Sequence, residues 1–248
     1  MKEYKLNVDP RILELLGPNL YTNIYYVLAE LIANAYDADA KNVYIISNKD
    51  DIRVEDDGHG MSYDNGDIAN YLNVAGVSRI KEEDSLSRAG TRRKMGRKGV
   101  GKLDALSVSE NVDILTVADG EKSGFILSRR PEEGNRLRAI SDSDVIFDYI
   151  QNHGSAIVMR NPQYRLHKTL SAVKRNLLKI FPLINSDFRV HIIRGGESEI
   201  VDDFDKNVMA ELGTLIALGE EFSSLTSLVP DTYPENRFEL VVAKDEKS

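Results

Sequence analysis

At 248 residues with 42% hydrophobic positions, the chain can supply one large domain or two modest ones with a sizeable core, and the absence of cysteine excludes disulfides and thiolate metal sites. Any chemistry must therefore come from carboxylates, amides, basic side chains and backbone. A net charge of −8 argues against a surface that coats nucleic acid throughout, and no stretch approaches the roughly 18 apolar residues of a membrane helix.

The start, Met1-Lys2-Glu3-Tyr4-Lys5, has no apolar run after it and is not a signal peptide, so a cytoplasmic location without a membrane partner is the default expectation. Leu6-Asn7-Val8 reads as a short strand, and Asp9-Pro10 supplies an N-cap and a first-turn proline for a helix ending at Gly17-Pro18. From Leu20 on, the apolar residues Leu20, Ile24, Val27, Leu28, Leu31, Ile32 and Ala35 recur at three- and four-residue intervals, which predicts an amphipathic helix stopping near Asp39-Ala40. Glu30 and Asn34 lie one turn apart on its polar face, and Asp37 continues the row. Taken alone, these three fit an ordinary solvated face at least as well as a site.

Asn42–Ser47 and Asp51–Asp56 read as strands joined by the polar turn Asn48-Lys49-Asp50, an antiparallel hairpin. It runs into Asp56-Asp57-Gly58-His59-Gly60-Met61, where two glycines one residue apart mark a tight turn. Residues 62–97 show little periodicity and dense charge, the pattern of a lid or a disordered segment. Gly96-Arg97-Lys98-Gly99-Val100-Gly101-Lys102 then reads as a glycine-rich loop opening a helix. Further strands are expected at Val112–Val117, Ser123–Leu127, Ser155–Met159, Arg189–Ile193 and Arg237–Val242. Helices are expected over Leu166–Phe181, with a basic outer face, and over about Lys206–Leu218. His59, His153, His167 and His191 form no ligand spacing, and no internal repeat is present.

Three polar elements stand in order: Glu30/Asn34 on a helix, Asp56 with Gly58 and Gly60 in a turn, and Gly96, Gly99 and Gly101 before a helix. In this order the chain resembles the GHKL ATPases, the superfamily of gyrase B, heat-shock chaperones, histidine kinases and MutL, whose site is the Bergerat fold. The resemblance spans roughly Val8 to Ile193. ELIANAYDADA is similar to the first box of the family, VEDDGHGM to the second, MGRKGVGKLDAL to the third, and His153-Gly154-Ser155-Ala156-Ile157 to the fourth, with serine where threonine is usual. The NAYDADA ending and the Arg97-Lys98 pair look closest to the MORC-like branch. GRKGVGK also resembles a degenerate Walker loop, but Lys102 is followed by Leu103 in place of the required Ser or Thr.

The resemblance implies an α+β, two-layer Bergerat sandwich with a mixed, mostly antiparallel sheet and helices packed on one face. It implies that Asp56 reads the adenine amino group, that Gly58 and Gly60 let backbone pass close to the base, and that Met61 packs on it. Asn34 would be the ligand of Mg2+, and Glu30 would orient and deprotonate the attacking water. Gly99, Val100, Gly101 and Lys102 would offer backbone amides to the phosphates, with charge from Arg97, Lys98 and Lys102. Ser155 would hydrogen-bond beside Asp56. Asp37 joins the cofactor-binding set, whereas Asp39 reads better as helix end or lid anchor.

The expected organisation is a nucleotide-binding domain over 1–200 with a lid at about 62–97, and a C-terminal extension over 201–248 as the start of a truncated transducer domain. The expected function is a Mg2+-dependent ATPase in which ATP closes the lid and drives homodimerisation of the full-length protein, with association to DNA implied by family analogy alone. About fifty residues follow Ile193, too few for a second α/β domain to supply the cation at the γ-phosphate, so hydrolysis by this chain is expected to be slow or absent. The alternatives are a histidine-kinase-type phosphotransferase, disfavoured because no long phosphoacceptor helix precedes Glu30, and a regulatory module that binds nucleotide without turnover.

Overall fold

The computed structural model describes residues 2–8, 23–73, 86–95, 103–130, 135–181, 183–202, 215–218 and 237–240. The chain divides into two units, Met1–Asp202 and Asp203–Ser248. In the first, nine strands form one sheet: β1 (Tyr4–Lys5), β2 (Asn42–Ser47), β3 (Asp51–Asp56), β4 (Asn111–Ala118), β5 (Glu121–Ser128), β6 (Arg136–Ile140), β7 (Gly154–Arg160), β8 (Arg189–Arg194) and β9 (Glu197–Val201). Their order is β1-β6-β5-β4-β7-β3-β2-β8-β9, and every neighbouring pair is antiparallel except β2 with β8. This is the mixed, mostly antiparallel sheet of an α+β Bergerat-type sandwich. In the second unit, β10 (Leu215–Leu218) pairs in parallel with β11 (Arg237–Leu240).

The helix α1 (Ile24–Asp37) starts at Asn23, whose side-chain oxygen accepts the Tyr25 amide at 3.0 Å. Its apolar stripe buries Ile24, Val27, Leu28, Leu31, Ile32 and Ala35, while α4 (Leu170–Leu178) adds Val173, Leu177 and Leu178. Because side chains alternate along a strand, Val43, Ile45, Ile52, Val54, Ile114, Phe125, Val190 and Ile192 share the face beneath these helices, all nearly inaccessible. The short helices α2 (Asp67–Leu72) and α3 (Ala105–Val108) complete this layer. On the opposite face, Val145 packs on Leu115, Ala156 and Val158 together with Ile140 and Phe147.

The hairpin is in the expected register, Val43 opposite Asp56 and Ser47 opposite Ile52. Three expectations need correction. Leu6 and Val8 are buried as period two requires, but the ladder involves Tyr4 and Lys5 instead, because Leu6 and Asn7 donate to the carbonyls of Asn135 and Leu72. The helix expected over Leu166–Phe181 occupies only Leu170–Leu178, and Leu215–Leu218, expected as the last turn of a helix, form the strand β10, where pairing with β11 overrides helical periodicity. Residues 206–214 and the helix expected before Gly17-Pro18 lie outside the described residues. Sequence reading missed β6 and β9, whose exposed arginines and glutamates mask their alternation. No helix among the described residues is long and apolar enough to cross a membrane.

Candidate functional site

Asp56 ends β3, and the turn after it folds back against the end of α1. His59 donates its backbone N–H to the Ala38 carbonyl at 3.0 Å. A side chain on Gly58 would meet Asp56 Oδ1 at 2.7 Å and the Ala38 carbonyl at 2.8 Å, so this position must be bare for strand end and helix end to meet. Gly60 has φ +68° and lies so close to β4 that a Cβ would stand 2.1 Å from the Val117 carbonyl oxygen. Gly154, at φ +140°, approaches the Asp56 carbonyl equally closely, 2.1 Å from a Cβ.

Around this crossing, Asp56 is the register partner of Ser155, and Ser155 of Thr116. Thr116, fully buried in the middle of β4, accepts the Met61 amide at 2.8 Å and donates to the Gly154 carbonyl at 3.1 Å. Its hydroxyl lies 3.4 Å from that of Ser155. His153 donates from Nδ1 to the Gly58 carbonyl at 2.7 Å, and His59 from Nδ1 to the Gly60 carbonyl at 2.6 Å, so both imidazoles brace the turn. Asp56 Oδ1 accepts the Gly58 amide at 3.0 Å, but burial dominates, aided by the neighbouring charges of Asp57 and Glu55, and pushes the carboxyl up to about 7. Glu55, adjacent in sequence, points to the opposite face and is held there by Arg53 and by the amides of Asp148 and Tyr149.

Glu30 and Asn34 stand exposed on α1, without side-chain hydrogen-bond partners among the described residues, so both oxygens are open to a ligand. A neutral carboxamide oxygen beside a carboxylate suits a hard cation shared with phosphate oxygens. Asp37 is placed differently: its Oδ1 accepts the Met95 amide at 2.8 Å, and Asp39 Oδ2 accepts the Ala89 amide at 2.8 Å. Burial works against the charge on Asp39, but Ser87, Ala89 and Arg92 hold its carboxyl below the ordinary range. Arg92 completes this latch by donating to the carbonyls of Ala40 (2.6 Å), Asp187 (3.2 Å) and Tyr36 (3.3 Å). Its guanidinium lies 4.6 Å from the Tyr36 ring centroid and 5.2 Å from that of Phe188.

The structure thus brings Asp56, Gly58, Gly60, Met61 and Ser155 together against the end of α1, whose outer face carries Glu30 and Asn34. Arg97, Lys98, Gly99, Val100, Gly101 and Lys102 lie outside the described residues. Sequence reading missed Thr116, a lone hydroxyl in an apolar strand, and Arg92, one charge in a charged stretch. Gly154 had a signal, a glycine opening a strand after His153.

The family model for "Histidine kinase-, DNA gyrase B-, and HSP90-like ATPase" matches residues 21–156. The chain is also 27% identical over 228 residues to a curated protein of Herpetosiphon aurantiacus named "Putative type II restriction enzyme HgiDII". That alignment covers 89% of this chain and 36% of the relative, so the chain spans about a third of the relative's length.

Proposed function

The chain belongs to the histidine kinase-, DNA gyrase B- and HSP90-like ATPase family, a family of ATP-binding, ATPase-type proteins, and from that premise we propose that it binds ATP with Mg2+ and hydrolyses it. The observation that carries this reading is the convergence on one half-buried carboxyl. Asp56 lies opposite Ser155, within a crossing that only Gly58, Gly60 and Gly154 permit, beside the helix of Glu30 and Asn34. A carboxylate there accepts from the exocyclic amino group of adenine and rejects guanine, which presents a carbonyl at that position. Thr116 fixes the turn through the Met61 amide, so that Met61 lies against the base. Bound Mg2+ would be held by the Asn34 oxygen and supplies charge neutralisation for the phosphate oxygens. Glu30 orients the attacking water and takes its proton.

Asp37, Asp39 and Arg92 tie residues 86–95 to the end of α1, which supports a lid whose return arm is fixed to the catalytic helix. On this reading, ATP binding closes this lid and promotes homodimerisation. The name of the Herpetosiphon relative, a putative type II restriction enzyme, supports a role around DNA, and the NAYDADA ending with the Arg97-Lys98 pair supports the MORC-like branch. Calorimetry with ATP and GTP in the presence of Mg2+, followed by phosphate release, tests the reading. Equal affinity for both nucleotides overturns it, and radiolabel transfer to protein in place of phosphate release favours the phosphotransferase alternative.

A further inference from the structure

On the open face of the sheet, remote from Asp56, a groove of about 440 Å³ is lined by four arginines, Arg130, Arg136, Arg138 and Arg160. The register explains their convergence. Arg138 pairs with Ile126, Ile126 with Asp113, and Asp113 with Val158, two residues before Arg160. Period two then puts Arg136, Arg138 and Arg160 on the same face. Asp113 is the one carboxylate among the described lining residues, and it is taken up by Arg160, whose Nε donates to its Oδ2 at 3.0 Å. Arg130 reaches Glu110 only at 4.0 Å, with both side chains exposed, a contact of little strength. Arg136 and Arg138 are exposed and have no hydrogen-bond or ion-pair partner among the described residues.

A charged strand face often serves only to keep a sheet soluble, and that purpose is met best by charges of both signs. Asp51, the register partner of Arg160, lines with Asp144 and Asp148 the neighbouring hollow on this face and shares Arg160 with Asp113. Arg136 and Arg138 on β6, by contrast, stand without a carboxylate partner among the described residues, and two unpaired like charges side by side are unfavourable without a counter-anion. The planar guanidinium fork matches phosphate oxygens in pairs. Arg136 and Arg138 stand about 7 Å apart along β6, and Arg160 lies roughly 14 Å away across three strand spacings. That separation engages several phosphates of a polymer at once. Ser128 and Asn111, opposite each other on the floor, add hydrogen bonds, and no aromatic residue is among the described lining residues, so the contacts favour the backbone over stacked bases.

We propose that this arginine groove on the open face of the sheet docks the phosphodiester backbone of nucleic acid. It gives a place to the role around DNA proposed above and rests on that part of the reading alone. The test is fluorescence anisotropy of labelled single-stranded and duplex oligonucleotides of mixed sequence with the whole chain, titrated across a range of salt. Both Arg136→Glu/Arg138→Glu and Arg136→Gln/Arg138→Gln are expected to weaken binding at least tenfold. The double glutamine variant should flatten the dependence of log affinity on log salt by about 1.8 for duplex or about 1.4 for single strands, which also identifies the form bound. Circular dichroism and ATP calorimetry should be unchanged in both variants.

Failure of the wild-type chain to bind either oligonucleotide at low salt overturns the proposal, as does unchanged affinity in the double glutamate variant. Displacement by polyglutamate as effective as by oligonucleotide also overturns it, in favour of an acidic protein partner. Oligonucleotide binding without ATP binding leaves the groove standing and removes the nucleotide reading.

Discussion

Met61 and Thr116, separated by 55 positions, are joined by one hydrogen bond of 2.8 Å, and the same hydroxyl donates to Gly154 on the neighbouring strand. One buried oxygen therefore fixes the two glycine-bearing segments on either side of Asp56. Thr116→Val keeps the shape but strands the Met61 amide and the Gly154 carbonyl, at about 1–3 kcal/mol for each unsatisfied group. Urea denaturation should show that loss and calorimetry a weaker ATP affinity, with Thr116→Ser restoring most of both. A valine variant as stable as wild type would remove Thr116 from the site's support.

The carboxyl of Asp56, ordinarily at 3.8, is pushed up to about 7. A raised folded value means that the folded chain holds the proton longer than the unfolded chain. The resulting stability is complete below about 4, and it is lost as pH rises through about 7. Asp56→Asn keeps the acceptor for Gly58 without the charge, so its advantage in melting temperature should grow between about pH 4 and pH 8 and then level. If the ionised carboxylate accepts from adenine, ATP affinity should be roughly tenfold weaker at pH 6 than at pH 8, the ratio of ionised fractions. A flat affinity profile contradicts the acceptor role.

Gly60 and Gly154 combine left-handed backbone with contacts that no Cβ fits. Alanine at either costs about 1–2 kcal/mol from the dihedral alone, and the clash with the Val117 or Asp56 carbonyl adds to it. Gly66, at φ +80° with open space around it, is the control: its alanine variant should show only the dihedral cost. Equal melting temperatures for all three variants would count against the crossing as the constraint.

Glu30 and Asn34 should separate turnover from binding. Glu30→Ala is expected to lower phosphate release by roughly 10²–10⁴ with ATP affinity nearly intact. Asn34→Ala should weaken binding in Mg2+ much more than in EDTA. Wild-type turnover in the Glu30 variant would place the base elsewhere.

Arg92→Lys keeps a charge but loses the planar fork that reaches three carbonyls and lies beside two rings. Hydrogen exchange should therefore speed up at the amides of Ala89 and Met95 in both Arg92→Lys and Arg92→Ala, with ATP affinity reduced. Unchanged protection at these two amides would show that Asp37 and Asp39 hold the arm without help.

Much of the candidate site was legible in sequence because its parts are local. Glu30 and Asn34 share a face through helical spacing, and Asp56, Gly58 and Gly60 sit within one turn, so neither grouping depends on distant residues. The hairpin and the buried face of α1 were legible for the same reason. Strand order was not, because period two tells which face a side chain takes but not which strand lies beside it. Only the pairing of β3 with β7, and of β7 with β4, brought Ser155 and Thr116 to Asp56 and gave Gly154 its clearance. That the Asp37 carboxylate meets the Met95 amide was not legible either, because those two residues are 58 positions apart. The arginine groove was likewise invisible, because its residues come from strands whose adjacency is decided by long-range hydrogen bonding. The sequence by itself determined the chemical groups; the pairing of distant strands decided which of them share one place.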